Sequence, residues 1–293
     1  MTKKMQMNII GAGHVGQTLG HLLVKLRRVQ IGAVCNRTIA SALRAIEFIG
    51  EGRSSASIGA LPHAALTLIT TPDDQIVDAC LALSLNAHIQ PGDVVIHCSG
   101  SQSSDSLRSV QRQGCFVGSV HPMRSFTCST LSVVEFPGTY CAMEGDLPAL
   151  SLMEGLLQAI GSITYVIHKE KKSLYHAAGV FASNYVVTLS QQALQCLIEA
   201  GVEQTMAMQI ITGLMQSTVS NLEQVSTPAQ ALTGPIQRGD VSCIQAHVLA
   251  LKTPMQKKLY ALLGQATLPL ASLDQKQVAQ IAITLENDDG YDI

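Results

Sequence analysis

The sequence of 293 residues is poor in aromatic and charged side chains. It has no tryptophan, its aromatic residues amount to 4%, its charged residues amount to 14%, and its formal net charge is −2. A nucleic-acid-binding surface needs clustered lysine and arginine, and an acidic interaction tail needs a run of carboxylates. Neither pattern is present, so we expect no nucleic-acid partner.

Long uncharged apolar runs are also missing, although the composition is apolar. Hydrophobic residues make up 47% of the chain, and its mean hydropathy is +0.25. No run reaches the roughly 18 residues of a membrane-spanning helix, and no signal-peptide pattern is present. We therefore expect a cytoplasmic protein without a membrane partner, whose excess apolar surface is buried between subunits.

The eight cysteines form no C-x-x-C pair. A zinc ribbon or a dithiol redox pair would need such a spacing. We therefore predict reduced thiols that serve mostly as small core residues, and no metal site.

Short β-type runs alternate with helical patterns through the first half of the chain. Strands are predicted at 6–11, 29–35, 64–71, 93–100, 115–122, 138–144 and 161–167. Helices are predicted at 14–27, 38–50, 72–84 and 103–114, with another between the last two strands. Such alternation is typical of a mostly parallel, doubly wound sheet with helices on both faces.

The pattern changes near His168. From Glu170 to Ala200 the chain contains neither proline nor a strand-like run, and further helices are predicted at 203–225, 240–264 and 274–284. We therefore predict two domains. An α/β domain spans residues 1–167, and an all-α domain spans 168–293.

The stretch "NIIGAGHVGQTLG" carries the pattern G-x-G-x-x-G between the first strand and the first helix. Gly11 permits a tight turn, Gly13 lets a pyrophosphate approach the backbone, and Gly16 lets the helix pack closely on the strand. The alternative is a glycine-rich turn without a ligand. The predicted cofactor-binding residues here are Gly11, Ala12, Gly13, His14, Val15 and Gly16.

The end of the second strand predicts which nicotinamide cofactor binds. An enzyme specific for NAD usually has a carboxylate there to bind the ribose 2′-hydroxyl. This chain has Asn36, Arg37 and Thr38 instead. Arg37 can pair with a 2′-phosphate, so the sequence favours NADP (NADPH). The alternative is that Arg37 is a solvated surface residue.

The carboxyl ends of the other strands predict the rest of the cleft, because ligands of open α/β sheets bind there. Thr70, Thr71 and Pro72 would lie under the cofactor ribose. Ser99 and Gly100 would lie near the nicotinamide, with Ser99 facing both cofactor and substrate; an ordinary polar turn is the alternative. Asp73 is interpreted as a helix cap.

The segment "HPMRSF" follows a predicted strand and contributes three candidate residues. His121 can transfer a proton near neutral pH. Arg124 can bind a substrate carboxylate, with Ser125 beside it. The alternative is a buried histidine bonded to backbone and an arginine on the surface.

The start of the helical domain carries a second set of candidates. Lysines near a helix N-terminus are unfavourable, which indicates another use for them. Lys172 and His176 lie one turn apart, so both are candidates for proton transfer, and Asn184 is a candidate substrate contact. The alternative is a solvated basic turn. Arg238 could bind a carboxylate or a neighbouring subunit, and Asp240 is predicted to cap the helix that follows.

Taken together, these residues resemble a known group of enzymes. The matching stretches are "GAGHVGQTLG", "NRT", "HCSGSQSSDSL", "HPMRSF", "KKSLYHAAGVFASNYVVTL" and "LTGPIQRGD". The chain resembles relatives of pyrroline-5-carboxylate reductase, ketopantoate reductase and 3-hydroxyisobutyrate dehydrogenase. It most closely resembles a subgroup named Rossmann-like putative NADP oxidoreductases.

The resemblance implies an NADP-binding Rossmann domain followed by an all-helical domain of the 6-phosphogluconate dehydrogenase C-terminal type, which forms a homodimer. It implies hydride transfer to or from a small anionic carbonyl, imine or hydroxy compound. Hydroxyacid dehydrogenases place an asparagine four residues after the helical lysine, whereas here His176 follows Lys172. Two alternatives remain: a nucleotide-binding sensor without turnover, and a prephenate-type dehydrogenase suggested by "HPM".

Overall fold

The computed structural model describes residues 4–86 and 88–286. Contacts between residues divide the chain into two compact units, the first ending at Ser183 and the second beginning at Asn184. The first unit contains strands and helices, whereas the described part of the second contains helices only. The predicted domain division after residue 167 stays a prediction.

One twisted sheet forms the first unit, with eight strands among the described residues. In chain order they are β1 (Met5–Ile10), β2 (Val29–Cys35), β3 (Arg53–Ser54), β4 (Leu66–Ile69), β5 (Val94–His97), β6 (Phe116–Pro122), β7 (Tyr140–Gly145) and β8 (Ile163–Val166). Their order across the sheet is β3-β2-β1-β4-β5-β6-β7-β8. Among the pairs that these strands form, only that of β6 and β7 is antiparallel.

Helices cover both faces of this sheet. They are α1 (His14–Lys25), α2 (Ile39–Ile49), α3 (Ile76–Ser84), α4 (Arg108–Gln111), α5 (Ser129–Glu135), α6 (Leu147–Ala159) and α7 (Lys172–Gly179). Successive strand residues point to opposite faces. Thus Ile9 belongs to a buried cluster that includes residues of α1, α2 and α6, whereas Ile10 belongs to another that includes residues of α3 and α4. The predicted α/β Rossmann architecture, a mostly parallel doubly wound sheet, is confirmed.

The second unit consists of α8 (Tyr185–Glu199), α9 (Gln204–Glu223), α10 (Val241–Ala250), α11 (Pro254–Thr267) and α12 (Gln275–Glu286). Its buried core joins Ile244, Leu268, Ile281 and Leu285. None of the helices in residues 4–86 and 88–286 has the length and hydropathy needed to cross a membrane.

Several predicted helices are divided differently in the structure. The single helix expected at 240–264 is wrong, because Pro254 cannot continue α10 and instead occupies the first turn of α11. Thr253 caps α11 by accepting from the N–H of Gln256 at 3.1 Å. The segment from Glu170 to Ala200, in which no strand is expected, contains α7, a π-helical stretch (Val180–Asn184) and α8.

Candidate functional site

The glycine-rich loop joins β1 to α1 at the carboxyl edge of the sheet. Gly11 has a φ of 78°, and a Cβ there would lie 2.8 Å from the backbone nitrogen of Thr71. Glycine is therefore required by both conformation and space. A Cβ on Gly16 would collide with the Thr70 hydroxyl and lie 3.3 Å from Ile9, so this glycine permits the close contact of α1 with the sheet.

Gly13 has a different environment from the other two glycines. Its φ is −80°, and a Cβ at this position would have the carbonyl oxygen of Gly11, 4.0 Å away, as its nearest neighbour among the described atoms. The protein itself therefore has room for a side chain here. A ligand that approaches the backbone at Gly13 is a physical reason for glycine.

A cavity of about 1000 Å³ opens beside this loop. We call it the loop cavity. Its lining is Ile10, Gly11, Ala12, Gly13, Gln17, Cys35, Asn36, Arg37, Thr38, Ser41, Arg44, Ile58, Thr70, Thr71, Pro72, Gln75, Asp78 and Ala79. Nine of the residues predicted to bind cofactor are among these, and they come from the ends of β1, β2 and β4.

Four predicted cofactor residues lie outside that lining: His14, Val15, Gly16 and Ser99. The imidazole Nδ1 of His14 lies 2.9 Å from the hydroxyl of Ser129 on α5. The same hydroxyl donates to Gln17 at 2.9 Å. His14 thus connects the start of α1 to α5, a helix that the sequence analysis missed.

The amino-terminal end of α1 lies next to the loop cavity, since Gly13, the residue before its first turn, is part of the lining. The N–H of Ala12 is bound by the Asn36 side chain at 2.7 Å, and that of Gly13 by the Gly11 carbonyl at 2.7 Å. No side chain of the described residues caps α1, and its first turn contains no acidic residue. The positive end of the helix is therefore available to an anion.

Two arginines line the side of the loop cavity formed by α2. Arg37 and Arg44 are exposed, and within the described residues neither makes an ion pair or hydrogen bond. Thr38 caps α2 by accepting from the N–H of Ser41 at 3.2 Å. Arg44, which the sequence analysis did not single out, lies in the second turn of α2 and lines the same cavity as Arg37.

The hydroxyl of Thr71 is buried in the wall of the loop cavity. Among residues 4–86 and 88–286 it has no hydrogen-bond partner. A buried polar atom without a partner costs about 1–3 kcal/mol. This unsatisfied atom, the open helix end and the two arginines fit the phosphates and ribose of a dinucleotide.

A second group of residues gathers at the ends of β5 and β6. We call Gly100, His121, Tyr175 and His176 the histidine cluster. The Nδ1 of His121 lies 2.9 Å from the Tyr175 hydroxyl, and the His121 and His176 ring centres are 6.0 Å apart. A Cβ on Gly100 would lie 2.5 Å from the His176 ring and 2.8 Å from Nε2 of His121.

Burial lowers the pKa of His121 to about 4. The positive charges of His176 and Lys172 act in the same direction, and Asp73 opposes them. His121 is therefore neutral near pH 7. Burial also raises the pKa of Tyr175, as does the neighbouring hydroxyl of Tyr165, so Tyr175 keeps its proton.

Lys172 is buried against the sheet beside this cluster. Its Nζ donates to the hydroxyl of Ser119 and to Glu144 Oε1, 3.3 Å away. Burial lowers the pKa of Lys172, and the Glu144 carboxylate opposes that shift. Glu144, a carboxylate inside a strand, was missed by the sequence analysis.

Ser99 and Asp73 take part in a network of turns. The hydroxyl of Ser99 accepts from the N–H of Gln102 at 2.9 Å, as an ordinary polar turn would require. Asp73 accepts from the Ser101 hydroxyl at 2.6 Å and makes no capping hydrogen bond within the described chain. The expectation that Asp73 caps a helix is therefore wrong.

The predicted cap at Asp240 is confirmed, since it accepts from the N–H of Cys243 at 3.1 Å.

The predicted anion-binding residues have separate environments. Arg124 donates to the backbone carbonyl of Glu135 at 2.6 Å and pairs with its carboxylate, while the buried Arg124 Nε has no partner in the described chain. Ser125 is exposed. Asn184 and Arg238 are exposed residues of the second unit.

Two family models match the chain. The Rossmann-like domain model matches residues 1–122. The model for DUF2520, a domain of unknown function, matches residues 139–267. No curated protein is detectably similar to the chain in sequence.

Solved structures show the same fold along nearly the whole chain. One is a putative NADP oxidoreductase from Bacteroides fragilis, with 20% identity, a TM-score of 0.73, and 91% of this chain and 98% of that chain covered. A protein from Thermotoga maritima has 26% identity and a TM-score of 0.70, covering 90% and 98%.

The expected resemblance to pyrroline-5-carboxylate reductase is confirmed at the level of the fold. Pyrroline carboxylate reductase from Plasmodium falciparum, solved with NADP bound, has 11% identity, a TM-score of 0.60, and coverage of 94% and 98%. The chain thus matches a Rossmann-like domain model over its first part and the DUF2520 model over its later part, and its fold is similar to those of solved structures named as an NADP oxidoreductase and as pyrroline carboxylate reductases.

Proposed function

We propose that the chain is an NADP-dependent oxidoreductase that transfers hydride to or from a small carbonyl, imine or hydroxy compound. The loop cavity carries this proposal. It combines the open end of α1, a glycine at position 13 that the fold alone does not require, and two arginines without a partner in the described residues. The relatives named as NADP oxidoreductase and pyrroline carboxylate reductase support the same class.

Within the loop cavity, each group would bind one part of NADP. The backbone at Gly13 and the first turn of α1 would bind the pyrophosphate. Arg37 and Arg44 would bind the 2′-phosphate, because guanidinium groups pair with phosphate oxygens in a charge-assisted, bidentate way. The Thr71 hydroxyl would gain the partner that it lacks within the described protein. When bound, the cofactor supplies the hydride.

The histidine cluster would supply the proton. In the proposed arrangement Tyr175 keeps its own proton, and the neutral ring of His121 donates from Nδ1–H to the Tyr175 oxygen 2.9 Å away, which leaves the lone pair on Nε2. Nε2 faces Gly100, so in the oxidation direction it would accept the proton of the substrate hydroxyl or amine. The imidazolium formed in this way would return the proton to the substrate oxygen or nitrogen in the reduction direction. His176 would orient the substrate or share this role.

Arg124 is a weaker candidate for binding an anionic substrate than the sequence indicates, because Glu135 occupies its guanidinium. Arg238 remains a proposed anion-binding residue of the second unit. The anionic character of the substrate is therefore a proposal that rests on Arg238 and on the resemblance.

Oxidation of NADPH in the presence of small probes tests the proposed function. We expect turnover with 1-pyrroline-5-carboxylate or 2-methyl-1-pyrroline, or reduction of NADP with 3-hydroxyisobutyrate. The variants H121N and H176N should lower turnover while leaving NADPH affinity nearly unchanged. Tight NADPH binding without turnover of any of the three probes would contradict the proposal and favour a nucleotide sensor.

We also propose a homodimer formed through the second unit, acting in the cytoplasm. Leu214, Leu249 and Met255 expose 64%, 76% and 69% of their surface, which is unfavourable for large apolar side chains in water. The eight free cysteines suit a reducing compartment. Light scattering should give a dimer for the parent and a monomer for L214K. The control V134K, at an exposed position of the first unit, should stay dimeric; a monomeric parent would contradict the proposal.

A further inference from the structure

Lys172, the first residue of α7, is only 2% exposed although it carries a cationic group. Its Nζ reaches Ser119 on β6 and Glu144 on β7. Glu144, also 2% exposed, accepts at one oxygen from the N–H of Ser104 at 2.8 Å and at the other from the Ser104 hydroxyl at 2.7 Å. Both oxygens of the Glu144 carboxylate therefore have hydrogen-bond partners. Through Lys172, these contacts join α7 to β6 and β7.

The position of this pair relative to the histidine cluster follows from two periodicities. Ser119 and His121 are two residues apart in β6, so their side chains point to the same face of the sheet. Lys172 and Tyr175 are three residues apart in α7, so they lie on the same side of the helix. Lys172 contacts Ser119 while Tyr175 contacts His121. Two contacts with matching spacing thus join one side of α7 to one face of β6.

We propose that Lys172 is a positioning residue: its contacts with Ser119 and Glu144 set the register of α7 on β6 and so bring Tyr175 and His176 to His121. This role differs from the proton transfer that the sequence predicts for Lys172. The amino group is enclosed by the hydroxyl and the carboxylate, whereas the ring of His121 faces Gly100 and His176. The proposed register of α7 on β6 is argued from these contacts alone. Its importance for proton transfer rests on the proposed oxidoreductase function.

The charge of Lys172 adds a second effect on the same histidine. The charged groups that act on His121 are His176 and Lys172, which lower its pKa, and Asp73, which raises it. Lys172 therefore helps to keep His121 neutral as well as in contact with Tyr175.

Nuclear magnetic resonance of the histidine side chains tests this role without a substrate. The variant K172M alone would leave Glu144 as a buried unpaired charge, so the whole pair is replaced in K172M/E144Q. The substitution Y175F then reports the contact, because it removes the hydroxyl bonded to His121. The matched control is K169M/D105N, which removes an exposed ion pair of 3.2 Å beside α7.

We expect K172M/E144Q to lose the coupling between Tyr175 and His121. In the parent and in K169M/D105N, Y175F should shift the side-chain ¹⁵N resonances of His121. In K172M/E144Q the same substitution should leave them unchanged, and His121 should titrate at higher pH than in the parent. An equal response to Y175F in all three backgrounds would overturn the proposal.

A second variant covers the case in which K172M/E144Q does not fold. S119A retains the ion pair and removes only its contact with β6. The response of His121 to Y175F should then be weakened, and an undiminished response would overturn the proposal. These readouts require neither NADP nor turnover, so failure of the proposed register and failure of the proposed function give different results.

Discussion

His121 and Tyr175 are joined by a hydrogen bond of 2.9 Å, although 54 residues separate them in the chain. The bond connects the end of a strand to a helix that follows the last strand of the sheet. It places a neutral imidazole and a protonated phenol at the carboxyl edge, where open α/β sheets bind their ligands. His176 and Gly100 complete the same cluster.

The substitution G100A should disrupt this cluster without changing any of its chemical groups. The new methyl group would lie 2.5 Å from the His176 ring and 2.8 Å from Nε2 of His121, so at least one ring must move. Displacement of a reacting group by about 1 Å can reduce turnover about 100-fold. Steady-state kinetics with NADPH and the responsive probe should show this loss.

The matched control for G100A is G155A. Gly155 lies in α6 and has no atom of the described residues within 4 Å of the position of a Cβ. It should keep parental turnover and bind NADPH as the parent does. Parental turnover in G100A as well would show that the two imidazoles do not act in the reaction.

Arg37 and Arg44 should determine the preference for NADPH over NADH. Either substitution, R37A or R44A, should weaken NADPH binding about tenfold, because a hydrogen bond to a charged group contributes about 1.5–3 kcal/mol. NADH lacks the 2′-phosphate, so its affinity should be unchanged. Fluorescence titration measures both, and R112A, an exposed arginine outside the loop cavity, is the control. Equal losses of affinity for NADPH and NADH would show that the two arginines do not select for the 2′-phosphate.

The variant T71V should separate cofactor binding from folding. Valine has nearly the shape of threonine but lacks the hydroxyl that has no partner within the described residues. The free energy of unfolding without cofactor should therefore be unchanged or higher, while NADPH affinity should fall severalfold. Urea unfolding and calorimetry test the two halves. A less stable apoprotein with unchanged affinity would show that the hydroxyl has a structural partner instead.

His97 should make the fold less stable in acid. It is fully buried, its Nε2 bonds the carbonyl of Ser103 at 3.0 Å, and its Nδ1 accepts from the N–H of Ser99 at 3.2 Å. Only the neutral ring satisfies both bonds, and burial lowers its pKa from 6.5 to about 4.

Between these two pKa values the unfolded chain binds a proton that the folded chain does not. The free energy of unfolding should therefore fall as the pH decreases from 6.5 to 4, by at most about 3 kcal/mol from this residue, and then level off. Urea titrations across this range should show a shallower slope for H97N, with His121 supplying part of the remainder. An unchanged slope in H97N would contradict the prediction, and H168N, at an exposed position, is the control.

The architecture of the first unit could be predicted because its signals are local. The short apolar runs of β1 and β4, which are buried on both faces of the sheet, and the glycines at 11 and 16 each reflect a constraint within one βα unit. The predictions failed where tertiary contacts decide the structure. Strand β3 is two residues long and exists by pairing with β2, and α5 packs against α1.

The candidate site was predicted in part for the same reason. Asn36, Arg37 and the threonines at 70 and 71 follow strands, so position along the chain indicates their place in the cavity. Tyr175 and Glu144 belong to the site through contacts between distant elements, whereas Arg44 belongs to it because α2 turns this residue toward the loop cavity. A carboxylate inside a buried strand was the available signal for Glu144, because such a group requires a charged or hydrogen-bonding partner.

Calorimetric titration of the purified protein with NADPH and with NADH tests the central claim most directly. The glycine loop and the two arginines predict saturable binding of both cofactors at one site, with NADPH binding at least tenfold more tightly. The absence of measurable heat for either cofactor at millimolar concentration, or a preference for NADH, would contradict the assignment of the loop cavity as an NADP site.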